Sequence, residues 1–169
     1  MTTAPSIAPA SAADVNKIHS LAREIWYLYY PGIITVEQID FMLDTLYADS
    51  ELRSSVADPK NYWIKALSQN EIVGFGHLIG YLDKKQVKLD KLYVHPKIQS
   101  SGYGRAIIDH AGARYAKLGY ESIYLQVNKG NLASIAFYKR VGFSKQKSVV
   151  IDIGHGFVMD DFIMSKTLD

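Results

Sequence analysis

The sequence predicts an α/β fold in which one mixed sheet is flanked by helices, and three observations carry that prediction. Apolar residues recur at helical spacing near the start, strand-like segments occupy the middle, and from Val94 onward strand and helix alternate before a closing hairpin. With 169 residues, 48% apolar and 21% charged, the chain has the composition of one ordinary domain with material for a core. Neither an internal repeat nor a linker-like stretch divides it, so a single domain over 1–169 is expected.

Residues 1–13 are rich in Ala, Ser and Pro, with no basic start and no continuous apolar stretch, and do not read as a signal peptide. Val15, Ile18, Ala22, Ile25 and Tyr29 then recur at three and four residues, behind Ser11 and Asp14 in a capping-box arrangement, which predicts the first helix. Pro31-Gly32 breaks it. Thr35, with Gln38 three positions on, caps a second helix carrying Val36, Ile39, Leu43 and Leu46, and a short helix over 50–57 follows. After Asp58-Pro59 the pattern turns to strands: 62–67, a turn at Gln69-Asn70, the long 72–82, a polar turn, then 87–94. His95-Pro96 and a Ser/Gly loop lead to a helix over 103–118 that Gly119 ends. A strand over 122–127, a helix over 131–141 stopped by Gly142, and strands 144–153 and 157–168 around Gly154-His155-Gly156 complete the order.

The absences narrow the function. No uncharged apolar run approaches the roughly 18 residues that a spanning helix needs. Without cysteine there is no disulfide, thiolate metal site or cysteine nucleophile, and the cytoplasm is the expected compartment. His19, His77, His95, His110 and His155 form no metal-binding spacing, so no metal is expected, and no G-x-S-x-G elbow is present. A pI of about 8.6 is modest and no nucleic-acid signature appears, so neither nucleic acid nor membrane is an expected partner.

The net charge of +2 conceals a segregation. Between Glu24 and Leu52 lie six acids (Glu24, Glu37, Asp40, Asp44, Asp49, Glu51) and no Lys or Arg, whereas between Lys84 and Lys147 thirteen basic residues face only Asp90, Asp109 and Glu121. Solvated element faces account for many charge runs. Here the basic half coincides with the strongest local motif, Gln99-Ser100-Ser101-Gly102-Tyr103-Gly104-Arg105, between a predicted strand and a predicted helix. Glycines there allow close approach of a ligand, and the first N–H groups of the helix lack internal partners, an arrangement suited to phosphate. A P-loop needs Gly-Lys before Ser or Thr, and a dinucleotide fingerprint needs a small residue where Ile107 stands, so neither an NTPase nor a dehydrogenase fits.

Leu89-Asp90-Lys91-Leu92-Tyr93-Val94-His95-Pro96 followed by Gln99-x-x-Gly102-x-Gly104 resembles the central strand and pyrophosphate loop of the Gcn5-related N-acetyltransferase (GNAT) family. Asn131-x-x-Ser134-x-x-Phe137-Tyr138-x-x-x-Gly142-Phe143 resembles its second acetyl-CoA motif, and the ending from Asp152 to Met164 is similar to the bacterial spermidine/spermine-type acetyltransferases. The resemblance implies a mostly antiparallel sheet with a splayed central strand, acetyl-CoA as cosubstrate, and direct transfer of acetyl to a primary amine. It implies that Gln99, Ser100, Ser101, Gly102, Tyr103, Gly104 and Arg105 hold the diphosphate. The backbone of Leu92, Tyr93 and Val94 would pair with the pantetheine, failed alternation over 90–94 being compatible with a bulge there. Asn131 and Ser134 would hold the cofactor arm, and Tyr138 would serve as general acid, since a phenol near pKa 10 can protonate a thiolate near 8.5.

The base departs from the family pattern, because Lys88 stands where many members place a glutamate. Asp90, two residues on and therefore on the same strand face, is the nearest replacement, with the plainer reading an exposed strand carboxylate. His77 is a weaker candidate, a lone strand histidine being more often structural. Glu24, Glu37, Asp40, Asp44, Asp160 and Asp161 are candidate partners for a cationic, polyamine-like acceptor. Peptide or protein N-acetylation, or coenzyme A binding without turnover, are the alternatives, and a homodimer is one assembly open to the chain.

Overall fold

The computed structural model describes residues 4–169. Among the described residues, seven strands hydrogen-bond in the order β1-β2-β3-β4-β5-β7-β6, and five helices of more than one turn accompany them. The chain forms two compact units, one comprising the chain up to Ile79 together with Lys91–Ala111, the other Gly80–Asp90 together with Gly112–Asp169.

The first unit begins with β1 (Ser6–Pro9), which pairs antiparallel with β2 (Asn61–Ser68), Ser6 opposite Leu67 and Pro9 opposite Ile64. β1 adds a strand that the sequence reading lacks: four residues whose apolar members, Ile7 and Ala8, are adjacent carry no alternation, and Pro9 is tolerated because this is a sheet edge. Helix α1 (Val15–Tyr29) starts where predicted, the Ser11 N–H donating to Asp14 Oδ2 at 2.8 Å. Lys65 Nζ on β2 lies 3.0 Å from both Asp14 oxygens, fastening the helix start to the sheet. The stripe Val15, Ile18, Leu21, Ala22, Ile25 and Trp26 is buried, each large aliphatic contributing about 1.5–3 kcal/mol.

Helix α2 (Val36–Leu46) is capped as expected, Thr35 Oγ1 accepting the Gln38 N–H at 3.2 Å. Ile39 and Leu43 enter the core, but Val36 and Leu46 stay exposed, and Met42 with Tyr47 takes their place. Helix α3 (Asp49–Ala57) follows. β2 turns into β3 (Glu71–Tyr81) through Gln69 and Asn70, both at positive φ (50° and 66°), the two-residue turn whose twist suits a hairpin. The unit also holds the end of β4 (Gln86–Val94) and the start of α4 (Tyr103–Lys117).

The second unit contains the beginning of β4, the end of α4, β5 (Ser122–Asn128), α5 (Leu132–Arg140), β6 (Ser144–Gly154) and β7 (Phe157–Thr167). β5 runs parallel to β4 from Gln86 opposite Ser122 to Lys88 opposite Tyr124, while β4 itself continues to Val94. β7 lies between β5 and β6, antiparallel to both, with Leu125 opposite Met164 and Asn128 opposite Asp161. Because strand side chains alternate, Val87, Leu89, Ile123, Leu125, Val127 and Met164 share one buried face. The opposite face carries Lys88, Asp90, Tyr124, Gln126, Asn128 and Asp161. Among the described residues, no helix is long and apolar enough to cross a membrane.

Candidate active site

The glycine loop of the first unit has the geometry an anion requires. Ser100 (φ 68°) and Gly102 (φ 85°) take left-handed conformations, and a Cβ built on Gly102 would meet nothing within 4 Å, so the turn opens onto unfilled space. The first intrahelical bond of α4 runs from the Ala106 N–H to the Gly102 carbonyl at 2.9 Å, which leaves the amides of Tyr103, Gly104 and Arg105 in the first turn without helical partners. The partial positive charge of a helix start gathers there. Buried Tyr103 anchors the turn, while Ser100, Ser101 and Arg105 are exposed, Arg105 lying 3.7 Å from Asp109. Gln99 Nε2 donates to the Val94 carbonyl at 3.3 Å, linking the loop to the end of β4. This open, polar cradle fits a diphosphate.

At that end of β4 the regular burial pattern fails from Asp90 to Val94, all half-buried. A Cβ on Gly74 of β3 would lie 2.8 Å from the Tyr93 carbonyl and 3.2 Å from a Val94 methyl, so glycine is needed for this close approach. The Tyr93 ring joins Trp26 and Phe75 at 5.8 and 5.7 Å, its hydroxyl 3.2 Å from that of Tyr30. Only the backbone of Tyr93 is therefore available for the role the sequence assigns.

Four of the other first-unit candidates, His77, Glu24, Asp40 and Asp44, are engaged elsewhere. His77 is buried, stacked on Trp63 at 4.3 Å, with Nε2 2.8 Å from Asn61 Oδ1, which is a structural role. Glu24 meets His95 Nε2 at 2.9 Å, and that hydrogen bond holds its carboxyl below the usual range. The Tyr27 hydroxyl bonds Asp40, and Arg23 lies 3.7 Å from Asp44.

In the second unit, buried Asn131 caps α5, its Oδ1 accepting the Ser134 N–H at 3.2 Å, a structural task added to the binding role expected of it. Tyr138 is half-buried on the same helix, its ring 5.6 Å from that of Phe143 and 5.3 Å from that of Phe137. On the polar sheet face Lys88 Nζ lies 2.9 Å from Asp90 Oδ1, both side chains mostly buried. Burial opposes the Lys88 charge, but the Asp90 carboxylate outweighs it and raises the ammonium pKa. Tyr124 is held above its usual pKa by burial and then by Tyr81.

Asp161 is the residue whose weight the sequence reading missed. It is 3% exposed, and burial, reinforced by neighbouring Asp160, pushes its carboxyl up to about 6. Alternation puts these two adjacent acids on opposite sides of the sheet, Asp161 on the face that carries Lys88 and Asp90. Asp160 is the exposed member, 2.5 Å from Lys129 Nζ.

Comparison with known proteins agrees with this architecture. Residues 17–143 match the family described as "Acetyltransferase (GNAT) family". The spermidine N(1)-acetyltransferase of Thermoplasma acidophilum is 23% identical over 154 residues, covering 89% of this chain and 92% of that protein. The peptidyl-lysine N-acetyltransferase YjaB of Salmonella typhimurium is 28% identical over 126 residues, covering 73% and 79%. A crystal structure of PaiA N-acetyltransferase from T. acidophilum in complex with coenzyme A superposes with a TM-score of 0.85 at 23% identity, covering 98% of this chain and 99% of that one.

Proposed function

Because the chain belongs to the acetyltransferase (GNAT) family, and is thus an N-acetyltransferase that uses acetyl-CoA, we propose that residues 1–169 act as one domain that acetylates a primary amine of a small, polyamine-like molecule. Acetyl-CoA supplies the acetyl group on a sulfur that leaves as a thiolate. Loop amides from Gln99 to Gly104, with Arg105, hold the diphosphate, and the backbone of Leu92 to Val94 pairs with the pantetheine and offers an N–H to the reacting carbonyl. Asn131 and Ser134 orient the cofactor arm. Tyr138 gives its proton to the departing sulfur.

The observation that carries this reading is the unfilled left-handed turn at Gly102, at the start of α4. The polyamine choice rests on the relative named spermidine N(1)-acetyltransferase, matched over 89% of the chain. The relative named for peptidyl-lysine supports a peptide acceptor as the second reading. Thiol release from acetyl-CoA, measured with spermidine, a lysyl peptide, an amino acid and an aminoglycoside, tests the choice. Turnover is expected to be fastest with spermidine. Preference for the lysyl peptide would replace the polyamine reading, and binding of acetyl-CoA without turnover of any amine would end the proposal.

A further inference from the structure

We infer that Asp161 is the proton acceptor for the incoming ammonium, and that Lys88 and Asp90 form a charge-balanced pair on the same sheet face rather than the base itself. The inference rests on the N-acetyltransferase reading above and names its missing residue.

Position comes first. Asp161 sits on β7 opposite Asn128, the last residue of β5. The Asn128 carbonyl accepts the Asn131 N–H at 2.9 Å, and its side-chain Oδ1 accepts the Gly130 N–H at 2.8 Å. One residue earlier on β7, the Asp160 carbonyl accepts the Lys129 N–H at 3.0 Å. β7 at Asp161 is therefore stitched to the turn that presents Asn131 and begins α5, the helix of Ser134 and Tyr138.

Charge comes second. The charged groups facing Asp161 are Lys88 from β4, Lys129 from the turn after β5 and Asp160 from its own strand, while β6 places uncharged Val149 across from it. Both cations already have a nearer carboxylate, Lys88 at 2.9 Å from Asp90 and Lys129 at 2.5 Å from Asp160. Among the described residues, no side-chain hydrogen bond or ion pair holds Asp161. A buried carboxylate left unbalanced either takes up a proton or draws in a cation, and a substrate ammonium supplies both. With its pKa near 6, Asp161 is ionised at neutral pH yet more basic than an ordinary carboxylate, whereas Asp90 is held by an ammonium.

The protons balance. One N–H proton of the ammonium passes through water to Asp161, and the freed lone pair forms the C–N bond as the C–S bond breaks. Tyr138 protonates the thiolate and regains a proton from the nitrogen, which still carries two. Asp161 then releases its proton to solvent, the single proton that amide formation from an ammonium sets free.

The test compares wild type, Asp161→Asn, Asp161→Glu and Asp90→Asn for the pH profile of kcat/KM with spermidine, and for coenzyme A affinity by calorimetry. Asp161→Asn should lose on the order of 10²-fold at neutral pH and exchange the acid limb near pH 6 for a rise that follows the free amine's own titration. Its coenzyme A affinity should be unchanged, and Asp161→Glu should regain most of the rate and the limb. Asp90→Asn should keep the acid limb but move it to lower pH, because the freed Lys88 ammonium then faces Asp161 unpaired. An Asp161→Asn enzyme with the wild-type profile, or the loss and recovery appearing instead in Asp90→Asn, would overturn the inference and leave the acetyltransferase reading standing. A wild type that turns over no amine ends both.

Discussion

The first unit buries an imidazole and the second a carboxylate, and the surroundings treat them in opposite ways. His77 is sandwiched against Trp63 at 4.3 Å and meets Asn61 at 2.8 Å, so its polar edge is satisfied within the fold. Asp161, 3% exposed, has cations in range that are held more closely by Asp90 and Asp160, and its carboxyl is pushed up to about 6. Burial is common to both. Only the unbalanced charge identifies a group prepared to exchange a proton with something from outside.

The largest effect should come from the proposed cofactor cradle, which lies in the first unit and is independent of either buried group. Gly104→Val is expected to weaken acetyl-CoA binding by about 100-fold or more, close to 3 kcal/mol, because a branched side chain meets the diphosphate. Valine is no worse than glycine within a helix, so the melting temperature should hold, and calorimetry beside a thermal melt separates the two. Unchanged affinity would remove the loop from the site.

Tyr138→Phe comes next and belongs to the second unit. Its kcat should fall on the order of 10²-fold with cofactor affinity nearly retained, since the hydroxyl is needed chiefly as sulfur gains charge. A wild-type kcat would confine proton transfer to other groups.

Stability against pH tests the contrast itself. A carboxyl raised from 3.8 to about 6 by folding binds its proton more tightly in the folded chain, so its stabilising contribution is complete below the unfolded pKa and disappears as pH rises through 6. Asp161→Asn removes that penalty. The variant should match wild type near pH 4 and exceed it at pH 7 by about 3 kcal/mol at most, read by urea denaturation. A gap that does not change with pH would show the carboxylate balanced after all.

The smallest effect is expected on the satisfied side. Asn61→Ala should cost about 1–2 kcal/mol by leaving the His77 edge short of a partner, without altering kcat. A rate loss there would move His77 out of its structural role.

The legible and illegible parts of the sequence divide along similar lines. Helices α1, α2 and α5 announce themselves through periodic apolar residues and through Ser11, Thr35 and Gly142, and the loop before α4 through its glycines. β1 escapes notice because its pairing with β2, rather than any pattern of its own, makes it a strand. Lys88 and Asp90 are recognisable as neighbours on one face, but reading Asp90 as a substitute base passes over the 2.9 Å pair between them. Alternation says that Asp160 and Asp161 face opposite ways. It does not say which side is buried, since that depends on β7 lying between β5 and β6.

The most direct measurement is a carboxyl ¹³C NMR titration of the unliganded protein, with the Asp161 resonance assigned by its absence in Asp161→Asn. An unbalanced buried carboxylate predicts a midpoint near 6, moving down when spermidine and coenzyme A are bound and an ammonium arrives beside it. A midpoint near the ordinary 3.8, unmoved by ligand, would contradict the account, because the second unit would then hold its carboxylate as quietly as the first holds its imidazole.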